Sequence, residues 1–235
     1  MNTGETPPSI GTLSLVATPI GNLEDITLRA LRTLKEADVV FAEDTRRTRI
    51  LLDHFEIRKH LESYHIFNEH GRTSEVLDRV RRGENIALVS DAGMPCIADP
   101  GFLLMRSAVD AGIEPVIVPG VSALTFAAAA SALPSDCFSF YGFLPVKSGR
   151  RAAMLDRIAA EDKTCIVFES PYRMEKLLTE IRDTLGPDTA VAVIREATKV
   201  HEEILRGSVS GIAAATKDRV WKGECVVVIH AVRTA

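Results

Sequence analysis

Four short stretches concentrate glycine, proline and acidic or hydroxyl side chains, the residue types that let backbone approach a ligand closely. Residues 17–27, ATPIGNLEDIT, follow a strand-like run; Pro19 and Gly21 shape the turn and Asn22 can present its amide. Residues 90–101, SDAGMPCIADPG, follow another such run and carry two acids, two glycines and two prolines. Asp91 or Asp99 could accept hydrogen bonds from ribose hydroxyls or an amino group, and either could instead cap the helix beginning near Gly101. Residues 118–125, VPGVSALT, turn into a helix whose N-terminus includes Ser122; free N–H groups there can meet a ligand oxygen, or Ser122 can serve as a plain N-cap. Residues 167–173, VFESPYR, set Glu169 and Arg173 at the end of a later strand, where Arg173 could equally form a surface salt bridge. The first stretch is neither a G-x-G-x-x-G fingerprint nor a P-loop, so a dinucleotide or Walker-type site is disfavoured.

Strands alternating with helices must position these loops. Strands are expected at Leu13–Ala17, Val39–Ala42, Ile86–Ser90, Pro115–Val118, Phe138–Gly142, Cys165–Glu169, Ala190–Arg195, Glu202–Arg206 and Glu224–His230. Helices are expected at Ile26–Glu36 with Asp25 as N-cap, at Thr45–Phe55 with a basic face, and at Thr73–Arg82, Gly101–Ala111, Ser122–Leu133, Arg150–Ala160, Tyr172–Leu185 and Val209–Ala215. This alternation predicts an α/β fold of two lobes with mostly parallel sheets covered on both faces. Pro134-Ser135-Asp136 breaks the pattern, so the expected organisation is a flexible arm over 1–10, an N-terminal lobe over 11–133 and a C-terminal lobe over 134–235.

Composition narrows the function classes. The 46% hydrophobic and 26% charged fractions suit a globular enzyme, and a net charge of −4 gives no global basic field for nucleic acid, leaving room only for local basic patches. Cys96, Cys137, Cys165 and Cys225 show no C-x-x-C spacing and read as free thiols of a reducing compartment; the six histidines form no metal-ligand pattern. No apolar run approaches the ~20 residues of a membrane span, and the polar start lacks the apolar core of a signal peptide. A cytoplasmic enzyme without a metal is the expectation.

In this order, VATPIGNLEDIT, AEDTRRT (42–48), SDAGMPCIADPG and VPGVSA resemble the tetrapyrrole-methylase superfamily, the class III S-adenosylmethionine-dependent methyltransferases. LPSDCFSFYGFLPVKSGRR (133–151), FESPYR, REATKVHEE (195–203) and KGE (222–224) narrow the resemblance to the ribosomal RNA small subunit methyltransferase I subfamily, which methylates a cytidine 2′-hydroxyl of 16S rRNA. It runs from about Leu13 to Ile229. Each motif is weak alone, and the ordered set is specific. The resemblance implies S-adenosylmethionine as cofactor, S-adenosylhomocysteine as product, a cofactor cleft between two lobes, a homodimer, and the small ribosomal subunit as partner. Carried over by position, cofactor contacts are Pro19, Gly21, Asp91, Ala92, Gly93, Met94, Ile97, Ser122, Ala123, Glu169 and Ala197. Members commonly have Thr-Pro-Leu-Ile at Met94–Ile97 and Pro-Gly-Pro-Ser at Pro119–Ser122, and many continue into a C-terminal helical segment, whereas this sequence ends at Ala235.

Methyl transfer from a sulfonium is an in-line displacement, and a ribose hydroxyl needs a nearby base or cation. Candidates are Glu43, Asp44, Glu196 and Lys199; a desolvated Lys199 beside Glu196 could lose its proton, or the two could form an ordinary surface ion pair. Phosphate contacts are expected from Arg46, Arg47 and Arg49, and from Lys147, Arg150 and Arg151, with Arg173 as a further substrate contact; either patch could instead be a solvated face. His65, Asn68 and Glu69 lie in a polar loop able to reach a base edge or ribose. Two other readings compete: carbon methylation of a porphyrinoid precursor, and a nucleotide-binding module without catalysis. The acidic AEDT and HEE segments disfavour the first, because its substrate carboxylates call for arginines.

Overall fold

The structure is a computed structural model and describes residues 10–231. Apart from Ile10, the arm expected over 1–10 lies outside the described residues. The chain forms two compact α/β units that divide between Ser122 and Ala123. The boundary therefore precedes the helix Ala123–Ser131 rather than following it at Pro134, because that helix packs on the second sheet.

The first unit holds strands β1 (Leu13–Val16), β2 (Val39–Ala42), β3 (His60–Ser63), β4 (Ile86–Val89) and β5 (Val116–Val118) in the order β3-β2-β4-β1-β5. Every pairing is parallel, so all five strands end at one edge. Helices α1 (Leu28–Glu36), α2 (Thr45–His54), α3 (Glu69–Arg81) and α4 (Phe102–Asp110) cover it. Alternation along the strands splits the core into two layers. Leu13, Leu15, Val39 and Phe41 pack towards Val76, Val80 and Leu104 on one face. Val16, Val40 and Ala87 pack towards Ala30, Leu34 and Leu52 on the other. Thr27 caps α1, its hydroxyl accepting the Ala30 N–H, and Asp25 falls instead in a 3-10 turn, Leu23–Asp25. Strand β3 and the early start of α3 at Glu69 are additions to the expected elements.

The second unit orders its strands β6 (Phe138–Phe143), β7 (Thr164–Glu169), β10 (Cys225–His230), β8 (Ala190–Arg195) and β9 (Glu203–Ser208) as β6-β7-β10-β8-β9. Only β6–β7 is parallel here; β10 runs against both β7 and β8, and β8 against β9. The short link from β8 to β9 is the reason: antiparallel neighbours need no crossover helix. Helix α5 (Ala123–Ser131) lays Ala127 and Ala128 on Ile166, Ala192, Ile194, Val226 and Val228. Helices α6 (Ser148–Ala159), α7 (Met174–Leu185) and α8 (Val209–Ala215) cover the other face through Leu155, Leu177, Ile181 and Ile212. No helix among the described residues is long and apolar enough to cross a membrane.

Candidate active site

At the strand-end edge of the first unit, the loops after β1, β4 and β5 come together. Ala17 N–H donates to Val118 O at 3.0 Å, and Thr18 and Gly93 exchange both backbone hydrogen bonds, at 2.9 and 3.0 Å. Two glycines permit this approach. Gly93 has φ +79°, and a Cβ on Gly120 would stand 2.9 Å from that of Ala17. Cys96 and Ala98 also have positive φ, 75° and 62°, a strain that concentrates in residues 90–101. Pro19 is buried in the first loop, Gly21 is exposed, and the Asn22 carboxamide oxygen accepts the Glu24 N–H. Ala92 and Met94 are half-buried and Ile97 is exposed. Ser122 ends the unit.

Two carboxylates clasp the ends of β2 and β4. The Asp44 N–H donates to Asp91 Oδ1 at 2.9 Å, and the Asp91 N–H donates to the Glu43 carboxylate. Burial, then the Asp91 charge, push the Glu43 carboxyl above its ordinary pKa; the Asp91 N–H, Arg47 and His65 offset only part of that. Asp44 behaves differently. Its carboxylate caps α2 by accepting the Arg46 N–H and pairs with the Arg46 guanidinium at 2.8 Å. These hydrogen bonds pull its pKa down to about 2 and make Asp44 the N-cap of α2. Arg47 leans on Asp91 at 3.6 Å, while Arg46, Arg47 and Arg49 are all exposed along α2. Asn68 is spent on its own loop: Oδ1 accepts the His65 N–H at 2.8 Å and Nδ2 donates to Ser63. Glu69 opens α3, and its carbonyl accepts the Thr73 hydroxyl.

In the second unit, antiparallel register gathers a different set at one sheet edge. Cys225, at the start of β10, pairs with Glu169 at the end of β7 and Arg195 at the end of β8. Lys199 Nζ lies 2.8 Å from Glu196 Oε1 and 3.0 Å from Glu224 Oε2. Burial pulls the Lys199 ammonium towards losing its proton, but these two hydrogen bonds outweigh it and hold the pKa above the ordinary lysine value. Lys199 is therefore a fixed cation, and the free amine needed for a general base is disfavoured. Burial alone would raise the Glu196 pKa; Lys199 and the Glu224 N–H reverse this and lower it. Glu196 and Thr198 both hold positive φ, 50° and 64°, and Ala197 packs towards the apolar layer under α5.

Glu169 is fully buried and held by two arginines, Arg151 at 2.6 Å and Arg173 at 2.7 Å. Arg151 also pairs with Glu180 at 2.5 Å. Arg151 thus leaves the expected basic patch: its side chain is 1% exposed, and it is a buried strut. One signal was available in the sequence, since Arg151, Leu155 and Ile158 share the i, i+4, i+7 stripe of α6 that faces the core. Lys147 and Arg150 remain exposed, and Arg173 ties its own loop to Glu169. The exposed Phe67, beside His65, is a site-edge residue that the sequence reading passed over; its signal was an aromatic side chain set in a polar loop.

Comparison with known proteins identifies the family. A family model described as Tetrapyrrole (Corrin/Porphyrin) Methylases matches residues 12–213. The ribosomal RNA small subunit methyltransferase I of Synechocystis sp. is 46% identical over 220 residues, covering 94% of this chain and 79% of that protein. The protein of the same name from Thermotoga maritima is 46% identical over 220 residues, covering 94% and 98%. Uroporphyrin-III C-methyl transferase from Thermus thermophilus, solved with S-adenyl homocysteine, superposes with a TM-score of 0.66 at 20% identity, covering 94% of this chain and 98% of that one. At that identity the likeness shows the fold.

Proposed function

Because the chain belongs to the tetrapyrrole methylase family, in its ribosomal RNA small subunit methyltransferase I branch, we propose that it 2′-O-methylates a cytidine of small-subunit rRNA. It is an S-adenosylmethionine-dependent methyltransferase. The observation that carries the rRNA reading is 46% identity, over 94% of the chain, to proteins named for that substrate.

The residues fit the cofactor. Adenosine asks for apolar walls and close backbone, and the half-buried Met94, exposed Ile97, Gly93 and Gly120 offer both. A sulfonium cation asks for negative charge without a strong nucleophile, and the Glu43–Asp91 pair offers it. Pro19, Gly21, Asp91, Ala92, Gly93, Met94, Ile97 and Ser122 are the proposed holders on the first unit. Ala123, Glu169 and Ala197 are proposed on the second, Glu169 through its main chain because its carboxylate is taken by arginines.

When bound, the cofactor supplies an electrophilic methyl on sulfur. The chain's task is to align the hydroxyl and take its proton. Glu43 is the proposed base: of the four candidates it alone combines a free-to-titrate acid with a raised pKa. Lys199 is proposed to act as a fixed positive charge. Arg46, Arg47 and Arg150 are proposed phosphate contacts; Asn68 and Glu69 hold the loop before α3 in the first unit, and Arg173 ties its own loop to Glu169 in the second. The small ribosomal subunit and a second copy of the chain are the proposed partners, in the cytoplasm, where reduced thiols and ribosomes coexist.

The test is methyl transfer from labelled cofactor to small ribosomal subunits, naked rRNA and a porphyrinogen in parallel, followed by nucleoside analysis. Label recovered as 2′-O-methylcytidine is the expected result. Label in the porphyrinogen alone overturns the reading and favours carbon methylation, and cofactor binding without any transfer favours a non-catalytic module.

A further inference from the structure

The loop between β3 and α3 exposes two large apolar side chains that a purely structural turn has no use for. Phe67 is 93% exposed and Ile66 65% exposed. Mobility is not the reason, because the loop is tied down on both sides. Tyr64 is fully buried, its N–H donating to Ala42 O at 2.8 Å and its hydroxyl lying 2.9 Å from that of Thr73. Asn68 then bridges back to Ser63 and His65, so the turn between them is closed by side-chain hydrogen bonds. The Phe67 ring is thereby presented outward on a fixed base. Its centroid is 6.0 Å from that of His65 at an interplanar angle of 65°, an edge-on support that leaves a ring face to solvent.

The surroundings decide what would stack there. The Ala42↔Ser63 register sets this loop beside Glu43–Arg47. His65 is close enough to Glu43 to lower its pKa, which links the aromatic pair to the carboxylate clasp. Nδ1 of His65 is buried and lacks a hydrogen-bond partner. Arg46, Arg47 and Arg49 are exposed on the adjoining helix, Arg46 bridged to Asp44 and Arg47 leaning on Asp91. Unpaired RNA is recognised by an aromatic face for a base together with arginines for the flanking phosphates. Three exposed guanidiniums beside one aromatic ring match the alternation of phosphate and base along a single strand.

We propose that Phe67, supported by His65, is the stacking platform for one unpaired base of the RNA substrate, with Arg46, Arg47 and Arg49 on the adjoining phosphates. This rests on the rRNA reading above. It implies that the substrate is presented to this edge as a splayed single-stranded segment and not as a closed duplex.

Kinetics of methyl transfer to small ribosomal subunits test it, comparing the unaltered protein with Phe67→Ala, Phe67→Leu and Phe67→Trp. Losing a stacked base raises KM for the subunit by roughly tenfold in Phe67→Ala. Phe67→Leu, which keeps bulk without a π face, stays impaired, and Phe67→Trp restores KM. Cofactor affinity by calorimetry is unchanged in all three. Photocrosslinking of the unaltered protein to rRNA carrying 5-iodocytidine is expected to modify Phe67 itself, a readout independent of how the variants fold. An active protein whose Phe67→Ala variant keeps its KM, or whose crosslinks map away from residues 64–69, overturns the platform alone. Loss of self-association in Phe67→Ala at unchanged KM also overturns it and gives the patch to a second copy of the chain. Failure of the unaltered protein to methylate any rRNA overturns both this inference and the reading it rests on.

Discussion

At Glu43, burial and the neighbouring Asp91 charge act in the same direction, and both favour the protonated acid. The base form is therefore lost at a higher pH than for an ordinary glutamate of pKa 4.5. As pH falls through that raised value, kcat is expected to fall with it; in Glu43→Gln the acidic limb disappears and kcat drops about 10²- to 10⁴-fold. A pH–rate profile of both proteins checks this. Arg151 makes the opposite point about charge. Its guanidinium is shared between Glu169 and Glu180 inside the second unit, so Arg151→Ala leaves buried carboxylate underpaired. Denaturant unfolding is expected to show a loss of about 3–5 kcal/mol, against little for the exposed Arg150→Ala. Both residues were visible in the sequence as charges, Glu43 after a strand-like run and Arg151 beside a Gly-containing turn. Their roles were not, because a pKa depends on which loops fold together, and in KSGRR the run of basic residues masked the helical stripe that buries Arg151.

Among the elements, the loop carrying Gly120 is held against the first strand with no room for a side chain. Gly120→Ala places a methyl 2.9 Å from the Ala17 Cβ. The expected cost is about 1–3 kcal/mol of stability, with weaker binding of S-adenosylhomocysteine as the two loops part. Thermal melts with and without that ligand measure the two effects separately. Loops of this kind were legible because glycine and proline announce them directly. Strand β3 was not, since HLES carries none of the β-branched residues that mark a strand, and it forms the outer edge of its sheet with polar side chains half exposed. Antiparallel pairing in the second sheet was equally hidden: a period-two pattern reports which residues face the core and says nothing of the direction of the neighbouring strand.

For the molecule as a whole, the position of α5 decides where the chain can be divided. Proline and aspartate at 134–136 looked like a boundary, yet the apolar layer formed by Ile166, Ala192, Ile194, Val226 and Val228 is covered by α5, which precedes them. A fragment of residues 123–235 is expected to melt cooperatively as a monomer or small oligomer. A fragment starting at Pro134 exposes that layer and is expected to aggregate, which sedimentation resolves. The order β6-β7-β10-β8-β9 carries a consequence for biosynthesis. Of this sheet's strands the last in chain order is the middle one, so the earlier pairs β6–β7 and β8–β9 emerge with open inner edges and wait for it. Premature termination before Cys225 would therefore remove the keystone of the second sheet instead of trimming its rim, and chaperones would meet this chain with both half-sheets still unjoined.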